Sequence, residues 1–135
     1  MPWNAGPNGG FSSAPEPDLW LPVAGDYETV NVDAQAADEG SMLNLYRALL
    51  ALRRESGALR AGSYAQLPTA QGDCLVFARE HEGERVLVVL NLADGPRRVP
   101  IAAGGEIALS TALDRTGERV AGEVDLRAAE GVVVA

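Results

Sequence analysis

One helical segment constrains this chain more than any other feature. Between residues 38 and 57 apolar residues recur on a helical period, and Met42, Leu43, Leu45, Tyr46, Leu49, Leu50 and Leu52 cover roughly half the circumference at about 100° per residue. Asn44, Arg47, Ala51 and Arg54 form the opposing polar stripe. A surface helix on one small core needs an apolar arc of only about 100°. This helix therefore asks for cover on two sides, and a small sheet supplies one. Asp38 or Ser41 can cap its first turn, and Gly57 stands where a left-handed C-terminal cap belongs. Arg53 and Arg54 fall in the last turn, at the negative end of the helix dipole.

Upstream, residues 1–37 read as irregular. Pro2, Pro7, Pro15, Pro17 and Pro22 all precede residue 23, among Asn4, Gly6, Asn8, Gly9 and Gly10, which is turn chemistry. Trp3, Phe11, Leu19, Trp20, Leu21, Val23 and Tyr27 are interleaved with those turns. A disordered linker does not normally carry both tryptophans of a chain, so this segment reads as a long ordered loop that packs against something. The aromatics Trp3, Phe11 and Trp20 have two readings. They staple the loop to a core, or they stack on the apolar C–H face of a pyranose.

Downstream, residues 58–135 predict short strands at Ser63–Leu67, Cys74–Arg79, Arg85–Leu92, Arg97–Ile101, Glu106–Thr111, Glu123–Leu126 and Gly131–Val134. Turn signals at 71–73, 81–83, 94–96, 104–105 and 116–117 have the near-regular spacing of an antiparallel sandwich. His81-Glu82-Gly83-Glu84 marks the strongest hairpin. The fold class is therefore mainly β, an antiparallel sandwich preceded by a loop and one helix.

Charge excludes some partners. The 135 residues carry 19 acidic against 11 basic side chains, a net charge of −8, and every basic residue is arginine. Such a field repels phosphate backbones and anionic membrane surfaces, so neither nucleic acid nor membrane is an expected partner. No apolar run approaches a membrane span, and the opening residues lack the pattern of a signal peptide. The single cysteine, Cys74, cannot form an internal disulfide and reads as a core residue, with the cytoplasm as the default compartment.

Catalytic motifs are absent. His81 is the only histidine; it stands beside Glu80, Glu82 and Glu84 and reads as part of a solvated turn, not as a zinc site. No G-x-S-x-G elbow, phosphate loop or H-E-x-x-H occurs. No metal, cofactor or catalytic residue is expected.

The order of several short motifs then resembles a known family. Met1-Pro2-Trp3, Pro7-Asn8-Gly9-Gly10-Phe11, Trp20-Leu21-Pro22-Val23, Asn31-Val32, Gln35, Asp38, Ser41, Leu43, Tyr46-Arg47 and Leu49 to Arg54 are similar to a run in the α-amylase superfamily. The likeness is to the α-glucosidase, oligo-1,6-glucosidase and trehalose synthase group. Gly62-Ser63-Tyr64, Leu75 to Arg79 and Val86 to Asn91 resemble the start of that group's C-terminal β domain. Beyond about residue 92 only a strand pattern remains.

The resemblance implies a three-part parent enzyme, with a (β/α)8 barrel whose catalytic carboxylates would lie upstream of Met1. It implies that residues 1–57 are the last loop and helix of that barrel, and residues 58–135 the β domain. The parent chemistry would be retaining hydrolysis or transfer of α-glucosidic bonds, and this chain alone would be inactive. Trp3 and Phe11 would lie near the substrate-binding mouth. The implied partners are the catalytic barrel and an α-glucan or oligosaccharide. A helix without its barrel would drive homodimerisation or fold back on residues 1–37. Two other readings stand beside this one: a free-standing carbohydrate-binding domain using Trp3, Phe11 and Trp20, and a protein-interaction β domain.

Overall fold

The computed structural model describes residues 1–15 and 18–135; Glu16 and Pro17, the latter one of the five N-terminal prolines, lie outside the described residues. By its internal contacts the chain divides into two compact units, Met1–Tyr46 and Arg47–Ala135. The division falls inside a continuous helix, α2, which runs from Met42 to Glu55.

The second unit is an antiparallel β-sandwich. Its strands are β1 (Ser63–Leu67), β2 (Cys74–His81), β3 (Glu84–Asn91), β4 (Arg97–Pro100), β5 (Gly105–Ser110), β6 (Arg119–Val120), β7 (Glu123–Leu126) and β8 (Gly131–Val134). Six form one sheet in the order β1-β2-β3-β8-β5-β6, and β4 pairs with β7 in a separate ribbon. Alternation decides the packing. Val76, Ala78, Leu87, Val89, Val132 and Val134 point to one face of the large sheet, where Val99, Ile101, Val124 and Leu126 of the ribbon side close the core over them. A short helix, α3 (Gly57–Ala61), covers part of the other face, where Ala58 meets Val86 and Val133 with Leu52 and Leu59 beside them.

All seven strands expected from sequence are present, with ends displaced by at most a residue or two. The β2–β3 hairpin is tighter than the four residues that mark it. His81 pairs with Glu84, leaving a two-residue turn in which Glu82 and Gly83 both have positive φ, 49° and 88°. The two-residue strand β6 is too short to leave a periodic trace.

The helical region departs from expectation in two places. Residues 32–37, read as irregular, form helix α1 (Val32–Ala37). Its first-turn amides are all satisfied: Val32 and Asp33 donate to the carbonyls of Pro2 and Trp3 at 2.9 and 3.1 Å, and Ala34 donates to Asn31 Oδ1 at 2.9 Å. Gly57, expected to end the long helix in a left-handed cap, instead opens α3. Ser56 is that helix's N-cap, accepting from the Leu59 amide at 3.0 Å. A side chain at residue 57 would crowd His81 Cδ2 at 3.0 Å, so glycine answers the close approach of the hairpin. Of the two candidate caps for α2, Ser41 fills the role: its Oγ accepts from Asn44 N at 3.2 Å.

Buried polar groups lock the sandwich. Asn91, only 2% exposed, donates from Nδ2 to Gly95 O and Arg127 O at 2.8 and 2.7 Å, and accepts from Ala93 N at 3.0 Å. Glu130 is 3% exposed and lies between Arg115 and Arg127, with oxygens 3.2 and 2.7 Å from their guanidinium nitrogens. Burial alone would raise the Glu130 carboxyl, but the Arg127 guanidinium and amide, with Arg115, outweigh it and hold it below the usual carboxylate range. Arg127 also holds Asp114, whose pKa falls to about 2.

These carboxylates titrate lower folded than unfolded. The stability they add is full above the ordinary carboxylate pKa values of 3.8 and 4.5 and drains away as pH falls toward about 2. Acid titration followed by circular dichroism is expected to show loss of structure in that window, with Arg127→Ala moving the midpoint upward. Glu130→Ala strips the largely buried Arg115 of one of its two carboxylates and the Arg127 amide of its acceptor, so a loss of about 2–3 kcal/mol is expected in urea unfolding.

Candidate functional site

The first unit presents the aromatic residues singled out from sequence. Its scaffold is a set of backbone latches. Trp3 N donates to Gly9 O at 2.8 Å, folding the opening residues onto a tight turn at Pro7–Gly10. Asn8 and Gly9 both take left-handed conformations there, with φ of 55° and 61°. Gly9 is buried, and a side-chain carbon on it would meet Pro2 Cβ at 2.9 Å and Val23 Cγ1 at 3.3 Å. Asn8 Nδ2 then reaches forward to the carbonyls of Ser12 and Ala14 at 2.9 and 2.7 Å. Asn31, 2% exposed, closes the other end of the loop by donating to Tyr27 O at 2.8 Å while capping α1.

This scaffold holds aromatic rings in the open. Trp3 and Phe11 are each 57% exposed and Trp20 is 94% exposed. Phe11 and Trp20 are brought together in the wall of one cavity of about 610 Å³, with Met1 and Leu21, and with Ser12 and Asp18 as its polar members. Trp3 does not line that cavity. Its backbone is fixed at both ends, by Gly9 and by Asp33 of α1, while its ring stays exposed. The loop is therefore ordered without burying its aromatics. Rings next to a hydroxyl and a carboxylate can stack on a sugar face and hydrogen-bond its hydroxyls.

A second feature left no mark in the sequence. Arg97 and Arg98 of β4, Arg115 and Arg127 come from three separate segments yet surround one open groove of about 600 Å³. Each faces a carboxylate: Arg97 with Asp73, Arg98 with Asp125, Arg115 with Glu118 and Glu130, and Arg127 with Asp114 and Glu130. The groove is compensated in charge, which makes it a brace and a poor anion site.

His81 lies at the end of β2 beside Gly57 and Glu84. The Glu84 carboxylate bonds Ser56 Oγ and Ala58 N, and those bonds hold it below its ordinary range. No group of three histidine, cysteine or acidic side chains placed to hold a metal ion occurs among the described residues. Cys74 is buried; burial first and the Asp73 charge second push its thiol up, away from thiolate chemistry. Among the described residues no helix is long and apolar enough to cross a membrane.

Comparison with known proteins gives a consistent family. Residues 1–62 match the model of the α-amylase catalytic domain. The chain is 36% identical over 93 residues to a trehalose-6-phosphate hydrolase of Escherichia coli, covering 69% of this chain and 16% of that one. It is 41% identical over 98 residues to a trehalose synthase of Thermus thermophilus, covering 69% of this chain and 10% of that one. In structure it superposes on a trehalulose synthase of Pseudomonas mesoacidophila with a TM-score of 0.85 and 25% identity, covering 98% of this chain and 24% of that one. The chain thus spans under a fifth of the curated relatives it matches and about a quarter of the solved neighbour.

The loop gives its own test. Gly9→Ala sets a β-carbon against Pro2 and Val23 in a left-handed conformation that costs about 1–2 kcal/mol for a non-glycine residue. The expected result is a changed tryptophan emission spectrum, as the Trp3 latch loosens, with the β-sheet circular dichroism signal retained.

Proposed function

The chain belongs to the α-amylase superfamily of glycoside hydrolases, and from that premise we propose that it is the non-catalytic C-terminal part of an α-glucosidase-like enzyme. Residues 1–57 are then the last loop and helix of a (β/α)8 barrel, and residues 58–135 a β domain that packs on the barrel and stabilises it. The parent activity is hydrolysis or transfer of α-glucosidic bonds, carried by residues outside this chain. Its compartment in this reading is the cytoplasm, in keeping with one buried thiol and no disulfide.

The observation that carries the reading is the exposed ridge of α2. Met42, Tyr46 and Leu50 stand at i, i+4 and i+8 and are 61, 60 and 55% exposed. Three large apolar side chains in one row on an otherwise acidic chain are explained by a covering surface. A catalytic barrel is the surface that the family premise supplies.

Trp3 and Phe11 are proposed as residues near the sugar-binding mouth of the assembled enzyme. The cavity shared by Phe11 and Trp20 favours a second reading in which this loop binds oligosaccharide unaided.

Three measurements separate these readings. A chromogenic α-glucoside incubated with the chain at high concentration is expected to show no turnover above buffer; turnover that survives repurification overturns the non-catalytic assignment. A relative's barrel truncated before the segment matching Met1 is expected to capture this chain, and Met42→Asp with Leu50→Asp to weaken capture about tenfold or more. In a maltooligosaccharide titration the second reading expects a change in tryptophan fluorescence that Trp20→Ala abolishes, whereas the first expects none.

A further inference from the structure

The sheet has one edge that lacks the usual protections. Natural edges are shielded by charge, proline or shortness, because an unpaired row of N–H and C=O groups invites another strand. The edge strand β6 is two residues long and carries Arg119. In the separate ribbon, β4 carries Arg97, Arg98 and Pro100, and β7 carries Glu123 and Asp125. The strand β1, Ser63-Tyr64-Ala65-Gln66-Leu67, holds none of these. It forms the other edge of the six-stranded sheet, and its first four residues are exposed.

Register identifies which of its groups are unpaired. The two-residue turn at Glu82-Gly83 makes His81 and Glu84 a hydrogen-bonded pair, so His81, Arg79, Phe77 and Leu75 bond to β3. The alternate residues Glu80, Ala78 and Val76 then face β1, where they oppose Ser63, Ala65 and Leu67. Tyr64 and Gln66 are left with their amides and carbonyls directed out of the sheet. The neighbouring Gly62 carbonyl is already taken by Arg79 Nη2 at 2.8 Å. On the side-chain side, Tyr64 is 58% exposed and its ring lies 5.2 Å from that of Phe77.

We propose that the β1 edge pairs antiparallel with the β1 edge of a second copy of this chain about a two-fold axis at Ala65. Tyr64 then exchanges both backbone hydrogen bonds with Gln66 of the second copy, and Gln66 with its Tyr64, so four orphan groups on each strand are satisfied. Charge selects the occupant. Two copies at −8 each repel over most of their surface, and β1 offers them an uncharged edge strand along which to meet. The antiparallel register sets the end of each strand flanked by Arg79 and Glu80, which pair with Tyr64 and Ser63, opposite the uncharged Leu67-Pro68-Thr69 end of the other.

Sedimentation equilibrium across a wide concentration range, with hydrogen exchange on the same samples, tests this. The expected result is an average mass rising above the monomer's 14.1 kDa toward twice that value. Amides of Tyr64 and Gln66 are expected to gain protection in step with mass. Gln66→Pro removes only an outward amide, which an edge strand tolerates, and Gln66→Lys adds an edge charge; each is expected to weaken association about tenfold or more. Their circular dichroism spectra report that the fold is kept. A strict monomer at every concentration overturns the proposal. So does a dimer that survives both Gln66 variants and is lost in Leu50→Lys, a result that assigns self-association to the α2 ridge and leaves the parent-enzyme reading intact.

Discussion

The two-residue turn at Glu82-Gly83 sets the geometry on which the second unit depends. Because side chains alternate with a period of two, slipping β2 against β3 by one residue would turn Val76, Ala78, Leu87 and Val89 out of the core. The tight turn forbids that slip. The same register puts Glu84 at the first position of β3, where its carboxylate reaches Ser56 Oγ and the Ala58 amide, 2.9 Å away in the latter case. A carboxylate on a helix N-terminus satisfies orphan amides and meets the favourable end of the dipole. One turn therefore fixes the sheet and, through Glu84, docks α3 on the sheet's second face.

The strands were legible because their pattern is local. Val86 to Leu90 and Gly131 to Val134 announce themselves by composition and by flanking turns, whereas their pairing, Leu87 with Val134, joins distant segments. What escaped the sequence depends on distant partners. Gly57 has the position of a helix cap, and only the hairpin folding back beside it shows that small size, not handedness, is what the site requires. Helix α1 is short and buries none of its residues, and its start is held by carbonyls of Pro2 and Trp3 thirty residues away. The arginine groove is likewise assembled from three separate segments.

Several residues that carried the family resemblance have structural work in the first unit. Asn31 caps α1 and clamps the loop carbonyls; Gln35 Oε1 accepts from Leu43 N at 3.0 Å, and Ser41 Oγ donates to Gln35 O at 2.6 Å while capping α2. These side chains make the corner between α1 and α2 rigid. The candidate site was legible as a set of aromatics on a loop: the family resemblance singled out Trp3 and Phe11, the sugar-binding reading added Trp20, and the structure gathers Phe11 and Trp20 in one cavity. Nothing in residue spacing reports which way a ring turns once the Pro7–Gly10 turn has reversed the chain.

The α2 ridge and the β1 edge are exposed in different ways, and that difference separates their roles. The α2 ridge of Met42, Tyr46 and Leu50 presents side chains whose own backbone is satisfied within the helix, so any complementary apolar surface can cover it. The β1 edge presents unsatisfied amides and carbonyls, which only another extended strand can match in direction and spacing. Covering the ridge does nothing for the edge, and pairing the edge leaves the ridge in water. A barrel seated on α2 and a second copy paired at β1 are therefore compatible in energetic terms, each answering a demand that the other cannot meet.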